Sequence, residues 1–428
     1  MYFCFVGDSK TIWWLAGWFP SSLDTQAGNF IGRHAEAFAE NQRAAPADFQ
    51  FTVFHFPVYR WGKDIKPKNI VTIPHVEIRC RPIAQLPWRG WLIRGINYFY
   101  YRWVAMRELK ATLLLQGVQD VVHVHSADKI ARLIPPLYEV FRKEGKGAVP
   151  LWYTEHWAIF NEVVSDGFGK RGSIFRRDYF RLWEKVTVSA PVSLASQQSM
   201  QSYLGGAKPF VLFRNVVDTN VFRPKVADVP EDSAEKANLP FAFLHVSSLE
   251  PRKNVMGMLR AFATLKQQHP DWRMQFRIVG GNNELYLSQA RTAALGLGLL
   301  HIFQPSVAFF GPRDANDVAF QMQCADVFVL FSDMENAPCV ISEAHCCGLP
   351  VISSSVAGVP EMIHEANGLL VPAANEVALT LAMEQAYLNH QQWSREKIAQ
   401  EAAAKYNPSA VAAVLNRSYQ NLIEPCVE

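Results

Sequence analysis

The chain has 428 residues, 49% of them hydrophobic and 19% charged, which is enough to bury the cores of two or three domains. Its formal net charge of +3 is too small to indicate nucleic acid as the main partner. Seven cysteines lie at scattered positions without a Cys-x-x-Cys pair, which disfavours a disulfide framework or a zinc site and fits a reducing cytoplasm. Neither a signal peptide nor a membrane-spanning helix is expected, because no apolar run is long enough.

The first half of the chain alternates short β-branched runs with helical patterns, which predicts parallel strands in an α/β domain. A strand is predicted over 11–16, followed by a loop that ends at Gly28 and a helix over about 29–41. Further buried strands are predicted at 120–125, 150–154 and 186–189.

The polar, proline-bounded stretch 224–240 is predicted to be a linker, after which the same pattern restarts. Strands are expected at 241–246, 274–279, 307–310, 327–330 and 350–352, with a helix over 256–268. We therefore predict two doubly wound domains, 1–223 and 224–408, facing across a cleft, and a last helix within 409–428. Ligands of such sheets bind beyond the carboxyl ends of the strands.

The segment 331–352 contains two carboxylates eight positions apart, Glu335 and Glu343. Pro338 suits the first turn of a helix that passes through Glu343 and stops at Gly348. Free backbone N–H groups at a helix N-terminus bind anions, above all phosphate, and carboxylates accept hydrogen bonds from sugar hydroxyls. The pattern therefore indicates a nucleotide sugar, although an ordinary amphipathic helix would show the same spacing.

This segment resembles the Glu-x7-Glu signature of retaining glycosyltransferases of family 4, which have the GT-B fold. The resemblance to that fold implies that the last helix, within 409–428, crosses back to the first domain. The resemblance implies that Glu335 faces the donor sugar and that Glu343 holds the ribose of the nucleotide. It also implies donor contacts from the residues around the helix start, which are Asn336, Ala337, Cys339 and Val340.

A second segment, 246–254, places Arg252 and Lys253 at a loop–helix junction, where two cations could neutralise a diphosphate leaving group. It resembles the Gly-Arg-Leu-x-x-x-Lys segment of the same family, with Lys253 in the place of the family lysine. The family arginine is Ser248 here, which leaves open whether Arg252 substitutes for it or belongs to a solvated basic turn.

The first domain offers three further candidates at the ends of predicted strands. Gly28 would let the first loop approach the donor phosphates, and the resemblance implies that His125 donates a hydrogen bond to a hydroxyl of the donor sugar. Glu155 and His156 follow the next strand and either line the acceptor side or form a buried Glu–His pair. Both interpretations remain open from the sequence.

Residues 81–110 combine six Lys and Arg residues, against the single acid Glu108, with seven aromatic residues. Such a mixture favours an anionic membrane surface and could also bind a lipid-diphosphate acceptor. A helix packed on the core with a solvated basic face is the alternative. The stretch carries no nucleic-acid motif.

The ordered set of motifs across about 20–420 predicts a retaining glycosyltransferase that moves a sugar from a nucleoside-diphosphate sugar to a glycan or lipid-linked acceptor. Without an Asp-x-Asp pair in the chain, no metal and no other cofactor is expected. The predicted location is cytoplasmic, with a possible peripheral association with the inner face of the cytoplasmic membrane. The rival functions are a GT-B sugar-nucleotide epimerase, a glycosidase that uses Glu335 and Glu343, and a non-catalytic nucleotide-binding or scaffold protein.

Overall fold

The computed structural model describes residues 10–22, 24, 28–44, 49–88, 90–146, 149–160, 168–225, 239–281, 283–300 and 306–423. Contacts divide the chain into two compact units, Met1–Val216 with Pro408–Glu428, and Val217–Asn407. The predicted domain boundary at 223/224 lies a few residues from this division. Most of the predicted linker (226–238), together with Cys4, Arg89 and Cys426, lies outside the described residues.

The first unit is built on a six-stranded parallel sheet in the order β4-β2-β1-β6-β7-β8. Its strands are β1 (Lys10–Ala16), β2 (Phe49–His55), β4 (Glu77–Cys80), β6 (Val121–His125), β7 (Leu151–Thr154) and β8 (Val188–Ser189). A separate two-stranded parallel sheet pairs β3 (Val58–Arg60) with β5 (Ile83–Gln85).

Helices cover both faces of this sheet, as parallel strands require. They are α1 (Asn29–Ala44), α2 (Trp91–Gln116), α3 (Ile134–Lys143), α4 (Ser173–Lys185), α5 (Leu194–Leu204) and, from the end of the chain, α12 (Pro408–Ile423). Side chains of β1 alternate between the two cores, with Trp13 and Leu15 in one and Trp14 in the other.

The second unit repeats this plan with a six-stranded parallel sheet in the order β11-β10-β9-β12-β13-β14. Its strands are β9 (Phe241–Ser247), β10 (Met274–Gly280), β11 (Val307–Gly311), β12 (Val327–Leu330), β13 (Val351–Ser354) and β14 (Gly368–Val371). Its helices are α6 (Val255–Gln268), α7 (Glu284–Gly296), α8 (Ala315–Gln323), α9 (Cys339–Cys346), α10 (Glu376–Asn389) and α11 (Arg395–Tyr406).

Both sheets reverse their winding direction beside the strand that opens them. The order changes between β1 and β6 in the first unit and between β9 and β12 in the second. In open parallel sheets, ligands bind at such a switch point, beyond the carboxyl ends of the two strands. The topology therefore predicts ligand-binding residues in the loops after β1, β6, β9 and β12.

The predicted fold class is confirmed: each unit is a doubly wound α/β domain. The predicted strands lie within about two residues of the observed ones, whereas β2 to β5 and β14 were not predicted. Within the described part of the chain, no helix combines the length and apolar composition that crossing a bilayer requires.

The last helix, α12, is anchored in the first unit by Tyr419, whose side chain is fully buried. Its hydroxyl accepts a hydrogen bond from Trp14 Nε1 at 3.1 Å and lies 2.6 Å from His123 Nδ1. The Tyr419 ring also packs edge-on against Trp152, with ring centroids 5.0 Å apart. This one side chain therefore ties α12 to β1, β6 and β7.

We predict that Tyr419→Phe lowers the free energy of unfolding by about 1–3 kcal/mol, because the buried Trp14 N–H and His123 lose a partner. Urea unfolding followed by tryptophan fluorescence measures this. Tyr100→Phe is the matched control, since that side chain is 44% exposed and should change stability little. Equal midpoints for Tyr419→Phe and the wild-type protein would contradict the assigned anchoring role.

Candidate functional site

The site in the second unit begins in the loop that follows β9. A short 3-10 turn, Pro251–Lys253, leads into Asn254, whose left-handed backbone (φ 48°) caps α6. The Asn254 side chain accepts a hydrogen bond from Gly257 N at 3.1 Å. This turn directs the Lys253 side chain inward, and Lys253 is only 9% exposed.

Lys253 forms a buried ion pair with Glu335, which lies in the loop after β12. Lys253 Nζ donates to Glu335 Oε1, and Ser332 Oγ donates to the same oxygen at 2.7 Å. Glu335 is 6% exposed. Two of the three predicted catalytic residues, distant in sequence, therefore meet at the switch point of this sheet.

Backbone contacts hold the loop that carries Glu335. Asp333 N donates to Arg252 O at 2.9 Å, and Ser354 Oγ, at the end of β13, donates to Ser332 O at 2.5 Å. Gly358 N donates to Asn336 O at 3.1 Å. The loop that carries the carboxylate is thus held by the segment that follows β9 and by the end of β13 with the segment that follows it.

Arg252 differs from Lys253 in position and burial. Its Nε donates to Glu250 at 2.8 Å, and both side chains are 44% exposed. Lys253 is the one buried Lys or Arg side chain among the described residues. Arg252 therefore does not share the buried position with Lys253, and Ser248 leaves the family arginine without a counterpart in this segment.

The helix that carries Glu343, α9, begins after Pro338. The proline is the N-cap, with its carbonyl accepting Ile341 N at 3.1 Å, one position earlier than the predicted first turn. Cys339 and Val340 form the first turn, and Glu343, 9% exposed, follows one turn into the helix. Gly348 ends the segment with φ 72°, where a Cβ would lie 2.5 Å from Arg395 O.

Gly28 lies at the start of α1, in the loop after β1. Its φ is 66°, and a Cβ at this position would lie 2.6 Å from the backbone carbonyl of Trp18. Close backbone packing therefore explains the glycine by itself. The predicted approach of this loop to a phosphate stays a prediction.

His125 ends β6 and is fully buried. Its ring lies 4.2 Å from Trp14 and 3.9 Å from His123 between ring centroids, and Nδ1 is 3.4 Å from His156 Nε2. Among the described residues, no hydrogen-bond partner is found for Nε2, nor for the buried Oγ of the next residue, Ser126. Ser126 also has a left-handed backbone (φ 53°), a costly conformation that is typical of functional sites.

Glu155 follows β7, and residues of the first unit donate three hydrogen bonds to its carboxylate. Its carboxylate accepts hydrogen bonds from Tyr153 OH at 2.7 Å, Trp157 N at 3.0 Å and Ala127 N at 3.3 Å. Burial raises the pKa of Glu155 to about 7 despite these donors. These contacts give Glu155 a structural explanation, whereas half-buried His156 lies beside His125. Their role on the acceptor side stays a prediction.

Sequence reasoning missed Ser332 and Ser126. Ser332 lies three residues before Glu335, and Ser126 directly follows His125. A serine at the end of a buried strand is a common residue, so its chemistry becomes visible only when its hydroxyl is located.

The described residues contain no group of three or more His, Cys, Asp and Glu side chains that could hold a metal ion. The five described cysteines form no disulfide bond, and burial raises the pKa of both the Cys346 and Cys347 thiols to about 12. The predicted absence of a metal requirement remains a prediction about the reaction.

Comparison with solved structures identifies the fold. Sucrose-phosphate synthase from Thermosynechococcus elongatus superimposes with a TM-score of 0.71 at 19% identity, covering 97% of this chain and 100% of that chain. Anabaena HepE in complex with UDP gives a TM-score of 0.67 at 17% identity, covering 96% and 99%. The chain has the GT-B fold of these proteins.

Sequence comparison finds similar proteins among the glycosyltransferases. Residues 230–405 match Glycosyl transferases group 1. The amylovoran biosynthesis glycosyltransferase AmsK of Erwinia amylovora is 28% identical over 212 residues, which span 48% of each protein. The D-inositol 3-phosphate glycosyltransferase of Corynebacterium jeikeium is 27% identical over 328 residues, 72% of this chain and 74% of that protein. Residues 230–405, in the second unit, therefore match the group 1 glycosyl transferases, which agrees with the predicted resemblance at this level.

We predict that Lys253→Met lowers the free energy of unfolding of the second unit by about 3–5 kcal/mol, because it leaves the buried Glu335 carboxylate without its cation. The neighbouring variant Arg252→Met removes an exposed pair and should cost about 0–1 kcal/mol. Urea unfolding compares the two.

The double variant Lys253→Met/Glu335→Leu separates the ion pair from simple packing. It should recover much of the stability that Lys253→Met loses, since no uncompensated charge remains. Similar losses for Lys253→Met and Arg252→Met would contradict the burial of the Lys253–Glu335 pair.

We predict that the first unit loses stability as the pH falls below about 6.5. Burial lowers the pKa of His34 and His55 from 6.5 to about 4, and it also lowers the pKa values of His123, His125 and His156. The unfolded chain then binds more protons than the native one, which for one histidine with a native pKa of about 4 costs about 2 kcal/mol at pH 5 and about 3 kcal/mol below about pH 4. Unfolding midpoints in urea at pH 7.5, 6 and 5 test this.

Glu155 acts in the opposite direction, because its raised pKa favours the native state as the pH falls from about 7 to 4.5. Five histidines outweigh this one carboxyl group. A His34→Gln variant should show a shallower pH dependence than the wild-type protein. A midpoint that rises between pH 6.5 and 5 would contradict the neutral, buried state of the histidines.

Proposed function

We propose that this chain is a retaining glycosyltransferase of family 4 that moves a hexosyl group from a nucleoside-diphosphate sugar to a glycan or lipid-linked acceptor without a metal ion. The observation that carries the proposal is the buried Lys253–Glu335 pair, oriented by Ser332 at the switch point of a unit that matches the group 1 glycosyl transferases.

The donor side of the proposal has support from similar proteins. Anabaena HepE, which shares the fold, has been solved with UDP and with UDP-glucose. By analogy, the diphosphate of the donor would contact Lys253 and the backbone at the start of α9. The residues proposed at the start of α9 are Asn336, Ala337, Cys339 and Val340. Glu343 would hold the ribose.

Glu335 is suited to hold the transferred sugar because its two oxygens have different environments. Both Lys253 Nζ and Ser332 Oγ donate to Oε1. A sugar hydroxyl can therefore donate to Oε2 while Ser332 keeps the carboxylate oriented. A bound diphosphate would share Lys253 with this carboxylate, which couples donor binding to the orientation of Glu335.

In the proposed reaction, the bond between the anomeric carbon and the phosphate oxygen breaks while the acceptor hydroxyl attacks from the same face. The departing phosphate oxygen takes the acceptor proton, so no general-base carboxylate is required. Negative charge grows on the diphosphate as the bond breaks, and Lys253 with preorganised N–H groups would stabilise it.

His125 would contribute a hydrogen bond to a hydroxyl of the donor sugar through Nε2, the ring nitrogen that has no partner within the described part of the chain. Burial lowers its pKa far below 6.5, so the ring is neutral at physiological pH and acts as a hydrogen-bond donor without a charge. We place the reaction in the cytoplasm, where thiols such as those of the described cysteines stay reduced.

One observation favours a second candidate, a non-catalytic nucleotide-binding protein. Ser248 replaces the family arginine, and the Arg252 side chain pairs with Glu250 instead of joining Lys253. A single buried cation could suffice to bind a diphosphate without stabilising its departure.

The test is thermal stability against UDP, GDP, ADP, dTDP and CMP, together with their sugars, in EDTA. A ligand at 100 times its dissociation constant should stabilise the protein by about 2.7 kcal/mol. We expect a selective increase for one diphosphate and its sugar. Lys253→Ala should abolish this increase, whereas the matched control Arg252→Ala should retain most of it.

The outcomes discriminate between the candidates. A selective shift followed by sugar transfer to an acceptor supports the transferase, and conversion of the donor sugar without any acceptor would indicate an epimerase. A shift without turnover across many acceptors would favour the non-catalytic protein. If no nucleotide stabilises the protein, or if both Ala variants behave alike, the proposed donor site is wrong.

A further inference from the structure

Helix α2 carries a continuous stripe of exposed side chains that the fold of the first unit does not explain. The stripe contains residues at intervals of three or four, which are Leu92, Ile96, Phe99, Trp103, Arg107, Lys110 and Leu114. We refer to these seven residues as the aromatic face. Its five apolar members are 51–86% exposed.

The opposite side of α2 already supplies the contacts that hold the helix in place. Tyr101, Ala105, Leu109 and Leu113 are buried in the core of the first unit. A surface helix normally has one apolar face and one polar face, whereas α2 is apolar on both. The aromatic face is therefore not needed for folding and calls for a partner that covers it.

Neighbouring segments extend this surface around the start of α2. The Asn97 side chain fixes Leu86 by accepting from its N at 2.9 Å and donating to its O at 3.2 Å. Trp61 N donates to Gln85 O at 2.9 Å, which places Trp61 beside β5. Trp61, Trp88 and Trp91 are 66%, 67% and 76% exposed. Three further tryptophans thus lie near the amino-terminal end of the aromatic face.

The positive charge of the same region indicates that the partner is negatively charged. Residues 60–110 contain eleven Lys and Arg against three Asp and Glu, a net charge of +8. Since the whole chain carries +3, the remaining residues together carry −5. The one acid of α2, Glu108, is half-buried and pairs with Arg79 at 3.4 Å, so no acid lies on the aromatic face.

We propose that the aromatic face of α2 docks on an anionic bilayer surface. Tryptophan and other large apolar side chains enter the boundary between headgroups and acyl chains, and Lys and Arg beside them attract anionic lipids. Arg107 is suited to both roles, because its guanidinium lies over the Trp103 ring at 5.8 Å from the centroid. Lys110, one turn further along, adds a second exposed cation.

The dimensions and the charge of the aromatic face favour a bilayer over a single lipid-diphosphate acceptor or a second copy of the chain. From Leu92 to Leu114 the helix extends about 33 Å at 1.5 Å per residue, longer than the headgroup of a single lipid-diphosphate acceptor. A second copy of the chain packed face to face would bring two strongly positive surfaces together, which costs free energy. A flat anionic surface satisfies both the length and the charge.

The experiment is co-sedimentation of the full chain with vesicles of phosphatidylcholine alone or with phosphatidylglycerol, at low and high salt. We expect binding to the anionic vesicles that weakens with salt and is much lower on neutral ones. The charge variant Arg107→Glu/Lys110→Glu should reduce binding at least about tenfold, and Phe99→Ser/Trp103→Ser should reduce it similarly.

Matched controls distinguish vesicle binding through the aromatic face from nonspecific electrostatic or hydrophobic binding. Lys143→Glu/Lys185→Glu changes the net charge by the same amount at exposed positions of α3 and α4. Leu381→Ser changes a residue of α10 that is 59% exposed, like Trp103. Both controls should bind vesicles as the wild-type protein does. The altered side chains are exposed, and unchanged thermal melting verifies that each variant folds.

Several results would overturn the proposal. These are equal binding by wild-type protein and both face variants, equal losses in the controls, or binding to neutral vesicles that requires a lipid diphosphate. If the wild-type protein dimerises and the face variants do not, the aromatic face binds a second copy of the chain. If the wild-type protein binds nucleic acid and the face variants do not, the aromatic face binds nucleic acid. Glu335→Gln should bind vesicles normally, so the outcome is independent of the proposed transferase activity.

Discussion

The buried ion pair between Lys253 and Glu335 is the interaction on which the site of the second unit depends. Two charges out of water are stable only when geometry and further hydrogen bonds compensate for their lost hydration. Here Ser332 supplies a second donor to Glu335, and backbone bonds of Asp333 and Ser332 hold the loop. The same requirement explains why the loops after β9, β12 and β13 converge: each one supports the carboxylate or its partner.

Parallel strands make this convergence possible in both units. Their carboxyl ends lie at one edge of the sheet, and the change of winding direction opens a crevice there. In the second unit the edge presents Lys253 and Glu335, and in the first it presents His125, Ser126 and the loop that ends at Gly28. The two edges differ in chemistry. One contains a buried pair of charges, whereas the other contains a cluster of neutral histidines whose burial lowers their pKa values.

The first unit therefore combines an interior that contains several buried histidines with a strongly basic segment, residues 60–110. Its buried histidines are linked to α12 through Tyr419, so the last helix is part of the same polar interior. Its aromatic face lies on α2, whose other side belongs to the core. The proposed bilayer contact and the proposed sugar transfer rest on separate residues. Each can be tested without the other, and together they would suit an enzyme whose acceptor is attached to a lipid.

The sequence by itself determined the two α/β halves, most of the strands that border the site, and the resemblance to the group 1 glycosyl transferases, because periodicity, turn residues and motif spacing are local properties. It also identified Lys253 and Glu335 separately. Only the tertiary structure decided that Lys253 is buried while its neighbour Arg252 is not, since a single 3-10 turn sets their directions. The structure likewise decided which side of α2 is covered. A helix that is apolar on both sides has no periodic signal for burial, so its orientation depends on the shape of the core beneath it.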